Sequence, residues 1–113
     1  MGGLKVEEEI EFMPKHTVLV VDDEAAIREM LSISLDAAGF NVLQAENAKQ
    51  AHATILDRNP DLVLLDWMMP GTSGLELLRR LKRDELTVKI PVIMLTAKAE
   101  EDSKVYGLSL IHI

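Results

Sequence analysis

Four side chains that could bind a cation or act on phosphate stand directly after short apolar runs. They follow three such runs: Asp22 and Asp23 come after residues 17–21, Asp66 after residues 62–65, and Thr96 after residues 90–95. Short apolar runs rich in β-branched residues are typical of strands buried on both faces of a sheet. In an open α/β sheet, ligands bind beyond the carboxyl ends of such strands. The sequence therefore predicts a binding edge that carries these acids and a hydroxyl.

The three aspartates predict a site for a hard divalent cation. If the first and third strands are neighbours, the carboxylates of Asp22, Asp23 and Asp66 converge, and a cation is needed to offset their mutual repulsion. Oxygen ligands without His or Cys suit Mg²⁺ or Mn²⁺. Because Mg²⁺ commonly shares phosphate oxygens, we expect Mg²⁺ and a phosphoryl group in one site. The hydroxyl of Thr96 could donate a hydrogen bond to a phosphoryl oxygen.

Helical segments separate the apolar runs and set the fold class. Their signals are an apolar period over residues 25–38 before Gly39, a cap at Asn47 before a helix that stops at Asn59-Pro60, and capping-box spacing between Ser73 and Glu76. A second strand is expected at residues 41–45, and a fourth helix from Glu100 to about Tyr106. The resulting β-α-β-α-β-α-β-α order predicts an α/β fold with a doubly wound parallel sheet.

Composition limits the possible partners of this segment. The 113 residues are 48% hydrophobic and carry a net charge of -7, so we expect a globular domain without direct nucleic-acid contact. No apolar run is long enough to cross a bilayer, and no membrane contact is expected. The absence of cysteine fits a cytoplasmic protein.

Three motifs, in this order, resemble those of response-regulator receiver domains of bacterial two-component systems. They are Val-Val-Asp22-Asp23-Glu24, Leu-Leu-Asp66-Trp-Met68-Met-Pro70-Gly71, and Val-Ile-Met-Leu-Thr96-Ala97. The Asp-Trp-Met context and the Ile-Arg-Glu-Met segment after Ala26 are most similar to the phosphate-regulon regulators of the winged-helix transcription-factor branch. The resemblance implies a five-stranded flavodoxin-like sheet with strand order 2-1-3-4-5.

The resemblance also implies a role for each matched residue. Asp66 would take a phosphoryl group from a sensor histidine kinase, Asp23 and Asp66 would bind Mg²⁺ directly, and Asp22 would act nearby or through water. The backbone carbonyl of Met68 would complete the protein ligands, and Thr96 would move toward the phosphoryl group. The chain would assist its own phosphorylation and dephosphorylation without being a turnover enzyme. Phosphorylation would switch an output domain outside this chain, expected to be a DNA-binding winged helix, and could pair two protomers in the complete protein.

The sequence departs from the family at both ends. We expect an acidic extension at residues 1–15, an incomplete receiver domain at 16–108, and a non-family tail at 109–113, with a truncated or artefactual C-terminus. We expect the family's fifth strand, which ends in a Lys-Pro pair, and its fifth helix to be missing. Their loss would leave the fourth strand at the edge of the sheet, unless Leu108, Leu110, Ile111 and Ile113 form a surrogate strand.

Other interpretations of the same residues remain. Asp22, Asp23 or Glu24 could simply cap the first helix, because acids are common at helix N-termini. A phosphatase of the haloacid-dehalogenase type also uses a strand-end aspartate, but it needs a second aspartate two positions later, where this chain has Met68. A pseudo-receiver that only binds proteins is the third possibility, which the missing lysine permits.

Overall fold

Five strands and three helices make up the part of the chain that the structure describes. The computed structural model describes residues 15–67, 69, 73–99 and 106–112. In chain order the elements are β1 (Thr17–Val21), α1 (Ala25–Ala37), β2 (Asn41–Ala45), α2 (Ala48–Arg58), β3 (Leu62–Asp66), α3 (Gly74–Arg83), β4 (Val92–Ala99) and β5 (Tyr106–His112). None of the described helices is long and apolar enough to cross a membrane.

The sheet has the strand order β2-β1-β3-β4-β5. Strands β2, β1, β3 and β4 are parallel, with Val20 opposite Gln44 on one side and Leu64 on the other. The expected doubly wound order of the first four strands is therefore confirmed. Because β1 and β3 are neighbours, their carboxyl ends bring the first and third apolar runs to the same edge.

The fifth strand differs from the one that the family implies. β5 runs antiparallel to β4, with Thr96 opposite Ser109 and Ile93 opposite His112. A parallel fifth strand and a fifth helix are absent from the described residues, as expected. The backbone edge of β4 is nevertheless paired, so our expectation that it lies open is wrong and the surrogate strand is the arrangement found. Residues 109–112, which we had expected to form a tail, make up the end of this strand.

Local signals set most of the element boundaries. The side chain of Asn47 accepts a hydrogen bond from the Gln50 N–H at 2.8 Å, and that of Ser73 accepts one from the Glu76 N–H at 3.2 Å. Gly39 has a φ of +97°, the left-handed conformation expected just after a helix. The predicted fourth helix falls mostly on residues outside the described ranges, and Tyr106 itself begins β5.

Two apolar clusters form on opposite faces of the sheet. Leu19 and Val21 of β1 contribute to the cluster beneath α2 and α3, and Val18 and Val20 to the cluster beneath α1. This alternation is what strand geometry requires when both faces are covered. The central strands are thereby fixed from both sides, which holds their carboxyl ends in place.

Candidate functional site

Three carboxylates meet at the carboxyl ends of β1 and β3. One oxygen from each of Asp22, Asp23 and Asp66 lies within 4.8 Å of the others. Asp22 is only 2% exposed, Asp23 is exposed, and Asp66 is partly buried at the end of its strand. The convergence expected from neighbouring strands is therefore present. Three hard oxygen donors at this spacing could hold a divalent cation.

Asp22 is the most confined of the three acids. Its Oδ1 accepts a hydrogen bond from the Glu24 N–H at 2.8 Å, and its own N–H donates to the Ala45 carbonyl at 3.1 Å. Burial raises the pKa of Asp22, the Glu24 N–H opposes this rise, and the carboxylates of Asp23 and Glu24 add to it. A cation beside Asp22 would favour its charged form.

The capping interpretation of the acidic cluster is not what the described residues show. Glu24 occupies the N-cap position of α1, but its side chain makes no capping hydrogen bond. The carboxylate of Asp22 bonds to the Glu24 N–H, which lies before the first helical residue, Ala25. Neither Glu24 nor Asp22 therefore caps the first turn of α1 through its side chain.

Arg28 contributes a contact that the sequence did not lead us to expect. Its Nη1 donates to the backbone carbonyl of Asp22 at 2.8 Å, and its Nε donates to Oε1 of Gln44 at 3.3 Å. The guanidinium thus links α1 to the end of β1 and to β2. Its position in the first turn of α1, four residues after Glu24, is the one sequence feature that could have suggested this contact.

Asp66 and the residue after it are held by β4 and α3. The Trp67 N–H donates to the Leu95 carbonyl at 3.0 Å, and the Gly74 N–H donates to the Trp67 carbonyl at 3.1 Å. Trp67, the residue after Asp66, is 39% exposed. Met68, expected to offer its backbone carbonyl, lies outside the described residues. Met69 packs into the core with 7% exposure.

Thr96 lies just beyond the parallel part of the sheet. The last parallel pair between β3 and β4 is Asp66 with Leu95, so the backbone of Thr96 follows directly on that register. We expected β4 to end near Thr96, but it continues to Ala99, because residues 96–99 pair with β5 instead of β3. The backbone of Thr96 is therefore at the expected edge, and its proposed role stays a prediction.

The family follows from comparison of the whole chain with known domains. The family described as "Response regulator receiver domain" matches residues 18–110. This chain belongs to that family. The match spans all three motifs and both strands that carry the acids. Membership favours a receiver over the phosphatase alternative.

Characterised relatives of this receiver domain include transcription regulators. The phosphate regulon transcriptional regulatory protein PhoB of Pseudomonas aeruginosa is 68% identical over 94 residues, which cover 83% of this chain and 41% of that protein. PhoB of Escherichia coli K12 is 48% identical over 91 residues, which cover 80% of this chain and 40% of that protein. The transcriptional regulatory protein ResD of Bacillus subtilis is 48% identical over 90 residues, covering 80% and 36%. The predicted resemblance to phosphate-regulon regulators is confirmed, and the chain spans about two fifths of the relatives' length.

Solved structures share the same fold. The N-terminal domain of a response regulator receiver protein from Methanoculleus marisnigri superposes with a TM-score of 0.72 at 38% identity, covering 79% of this chain and 72% of that one. The chemotaxis protein CheY4 of Vibrio cholerae superposes with a TM-score of 0.73 at 30% identity, covering 80% of this chain and 76% of that one. The receiver fold is thus established for most of the chain.

Proposed function

We propose that this receiver domain accepts a phosphoryl group on Asp66 and acts as a phosphorylation-controlled switch in two-component signalling. The observation that carries the proposal is the meeting of the Asp22, Asp23 and Asp66 carboxylates within 4.8 Å at the ends of adjacent strands. Like charges this close are unfavourable without a cation, and phosphoryl transfer requires one to offset its developing charge.

The donor set fits Mg²⁺, and Mn²⁺ could substitute. Asp23 and Asp66 would bind the ion directly, Asp22 would act beside it or through water, and the backbone carbonyl of Met68 would supply a further oxygen. When bound, Mg²⁺ neutralises charge on the phosphoryl oxygens. Asp22 contributes negative charge from a buried position, where it is screened less by solvent than an exposed acid would be.

In the proposed transfer, a carboxylate oxygen of Asp66 attacks phosphorus. A new P–O bond forms as the P–N bond to the histidine of the kinase breaks, and the imidazole leaves with the electron pair and takes up a proton. The product is an acyl phosphate on Asp66. The hydroxyl of Thr96, next along the binding edge, would donate a hydrogen bond to a phosphoryl oxygen.

The biological setting is inferred from the relatives. Because PhoB and ResD are named as transcription regulators, we propose that the complete protein couples this receiver to a DNA-binding output domain, expected to be a winged helix. The partner would be a sensor histidine kinase, and phosphorylated protomers could pair. The protein would act in the cytoplasm and would consume no external substrate in repeated turnover.

A small acyl phosphate donor tests the proposal directly. Incubation of the 113-residue chain with acetyl phosphate and Mg²⁺ should give hydroxylamine-labile phosphate at a single site, detected by intact mass, with a low labelled fraction because the family's lysine is missing. Asp66→Asn should abolish this label because the nucleophilic carboxylate is gone. Asp57→Asn is a matched control, since it makes the same chemical change on the exposed surface of α2.

Each result has a defined meaning. Hydroxylamine-labile phosphate on the Asp66→Asn protein would place the nucleophile at another acid, most directly Asp22 or Asp23. A folded parent chain that takes no label with either Mg²⁺ or Mn²⁺ would be a pseudo-receiver. Label that forms equally well after chelation of divalent ions would contradict the metal site.

A further inference from the structure

We propose that Gly74, the first residue of α3, is a positioning residue for Asp66, an inference that rests on the proposed function of that aspartate. The backbone of Asp66 lies so close to Gly74 that the absence of a side chain there is what allows the strand end and the helix to approach. Gly74 does not touch the reacting atoms. It acts by setting where the Asp66–Trp67 peptide lies.

The contact involves the backbone of both residues before the loop. A Cβ added at Gly74 would overlap the carbonyl oxygen of Asp66, and it would lie 3.0 Å from the Asp66 carbonyl carbon and 3.1 Å from the Trp67 Cα. These are backbone atoms and cannot rotate away as the end of a flexible side chain could. The Gly74 N–H also donates to the Trp67 carbonyl at 3.1 Å. The start of α3 and the end of β3 are therefore in direct backbone contact.

A glycine is not needed here to begin the helix. The preceding Ser73 already caps the N-terminus of α3. Gly74 is itself buried. Its φ is outside the positive range where glycine is favoured for its backbone alone. Glycine is therefore required at this position because there is no space for a Cβ atom, and not because of its backbone conformation.

Introducing a methyl group would displace the strand end more readily than the helix. The helix α3 is fixed by Leu77, Leu78 and Leu81, which are at most 5% exposed. Asp66 is only partly buried and Trp67 is 39% exposed, so moving their shared peptide sacrifices less packing. The Asp66 carboxylate would move with that peptide, away from its place beside Asp22 and Asp23.

The same displacement would act on Trp67 and Met69, the residues that the structure describes between Asp66 and Ser73. Met69 packs in the core, and the Trp67 N–H donates to the Leu95 carbonyl. A shift at Asp66 and Trp67 therefore changes the geometry of the acids and not only the stability of α3. Misplacement of a reacting group by about 1 Å can reduce a rate by roughly a hundredfold.

The test compares Gly74→Ala with two variants that disturb structure without entering the site. Ser73→Ala removes the cap of the same helix, and Gly39→Ala strains a position with a φ of +97° that has open space around it. For each protein we would measure the Tm, the maximal labelling rate and half-saturating concentration of acetyl phosphate, and the Mg²⁺ affinity. The emission of Trp67, the only tryptophan, reports Mg²⁺ binding and the metal-free geometry of the loop.

The expected result separates position from stability. Gly74→Ala should lower the maximal labelling rate by roughly tenfold to a hundredfold, weaken Mg²⁺ binding, and shift the metal-free Trp67 emission. The two controls should lower the Tm. Their labelling rate, Mg²⁺ affinity and metal-free Trp67 emission, measured well below their unfolding transitions, should stay at the parent values. Parent-like labelling and Mg²⁺ affinity in folded Gly74→Ala protein would overturn the inference.

Two further measurements keep the outcomes distinct. If Gly74→Ala is unfolded in buffer, it would be assayed in trimethylamine N-oxide, which favours the compact state. If it remains unfolded, Met69→Ala would loosen the same loop from the core, and parent-like Mg²⁺ affinity in that variant would also overturn the inference. If the parent takes no phosphoryl group, the proposed function fails, while Trp67 emission and Mg²⁺ affinity still test the role of Gly74.

Discussion

The two faces of the sheet are covered to different degrees. Beneath α2 and α3, both helices contribute fully buried residues to a continuous cluster that also takes in Met69 and Ile90. Beneath α1, only four residues are buried, all from the strands, and α1 itself contributes none. Met30 and Ile33 of α1 are 53% and 64% exposed. The described part of the fold is therefore anchored mainly by the α2/α3 face.

The acids lie toward the less covered face. Along β3, Leu62 and Leu64 pack in the α1 cluster, and alternation places Asp66 on the same side. Arg28 of α1 contacts the Asp22 carbonyl from that side. The α2/α3 face thus holds the strands in place. The acids lie on the side that α1 covers less completely, where Asp23 is exposed and Asp22 is buried.

The largest expected effect compares one leucine from each face. Leu81→Ala on α3 removes a side chain with 0% exposure and should cost about 2–5 kcal/mol in the free energy of unfolding. Leu31→Ala on α1 removes a partly buried one and should cost about 1 kcal/mol. Because both substitutions replace leucine with alanine in a helix, they change helix propensity equally. The difference between their free energies of unfolding, measured by urea denaturation, therefore reports side-chain packing. Equal losses would show that the α1 face is as well packed as the other.

Removing one hydroxyl group on each face should give smaller effects on stability, and the two effects should have opposite signs. Thr87, 2% exposed in the loop after α3, donates its hydroxyl hydrogen to the Leu81 carbonyl at 2.7 Å. Thr87→Val should cost about 1–3 kcal/mol, because it leaves a buried carbonyl without that donor. On α1, the buried Oγ of Ser32 has no hydrogen-bond partner among the described residues. Ser32→Ala should therefore raise the Tm, and a fall would indicate a partner for that hydroxyl.

Sequence alone predicted the bounds of the first two strands and two helix caps, because these depend on short-range signals. The bounds of β1 and β2 and the caps at Asn47 and Ser73 follow from apolar runs and local hydrogen bonds. The role of Gly74 was missed because it depends on contact with Asp66, eight residues earlier across a loop. The antiparallel β5 was harder still, since strand direction is set by long-range pairing with β4 and not by the residues of β5 alone.

The smallest expected effect concerns Asp22, which is 2% exposed despite lying toward the less covered face. Because burial raises its pKa, the fold favours the neutral carboxyl and is destabilised once Asp22 ionises. Without Mg²⁺ at pH 7, Asp22→Asn should therefore raise the Tm slightly, and the asparagine oxygen can still accept the Glu24 N–H. This gain should shrink as the pH falls through the raised pKa and vanish near the ordinary value of 3.8, where the carboxyl is neutral in both folded and unfolded chains. Adding Mg²⁺ at pH 7 should stabilise the parent more than the variant, since the variant has lost one carboxylate. A metal-free Tm gain that is independent of pH would show that packing, and not the charge of Asp22, limits stability at this edge.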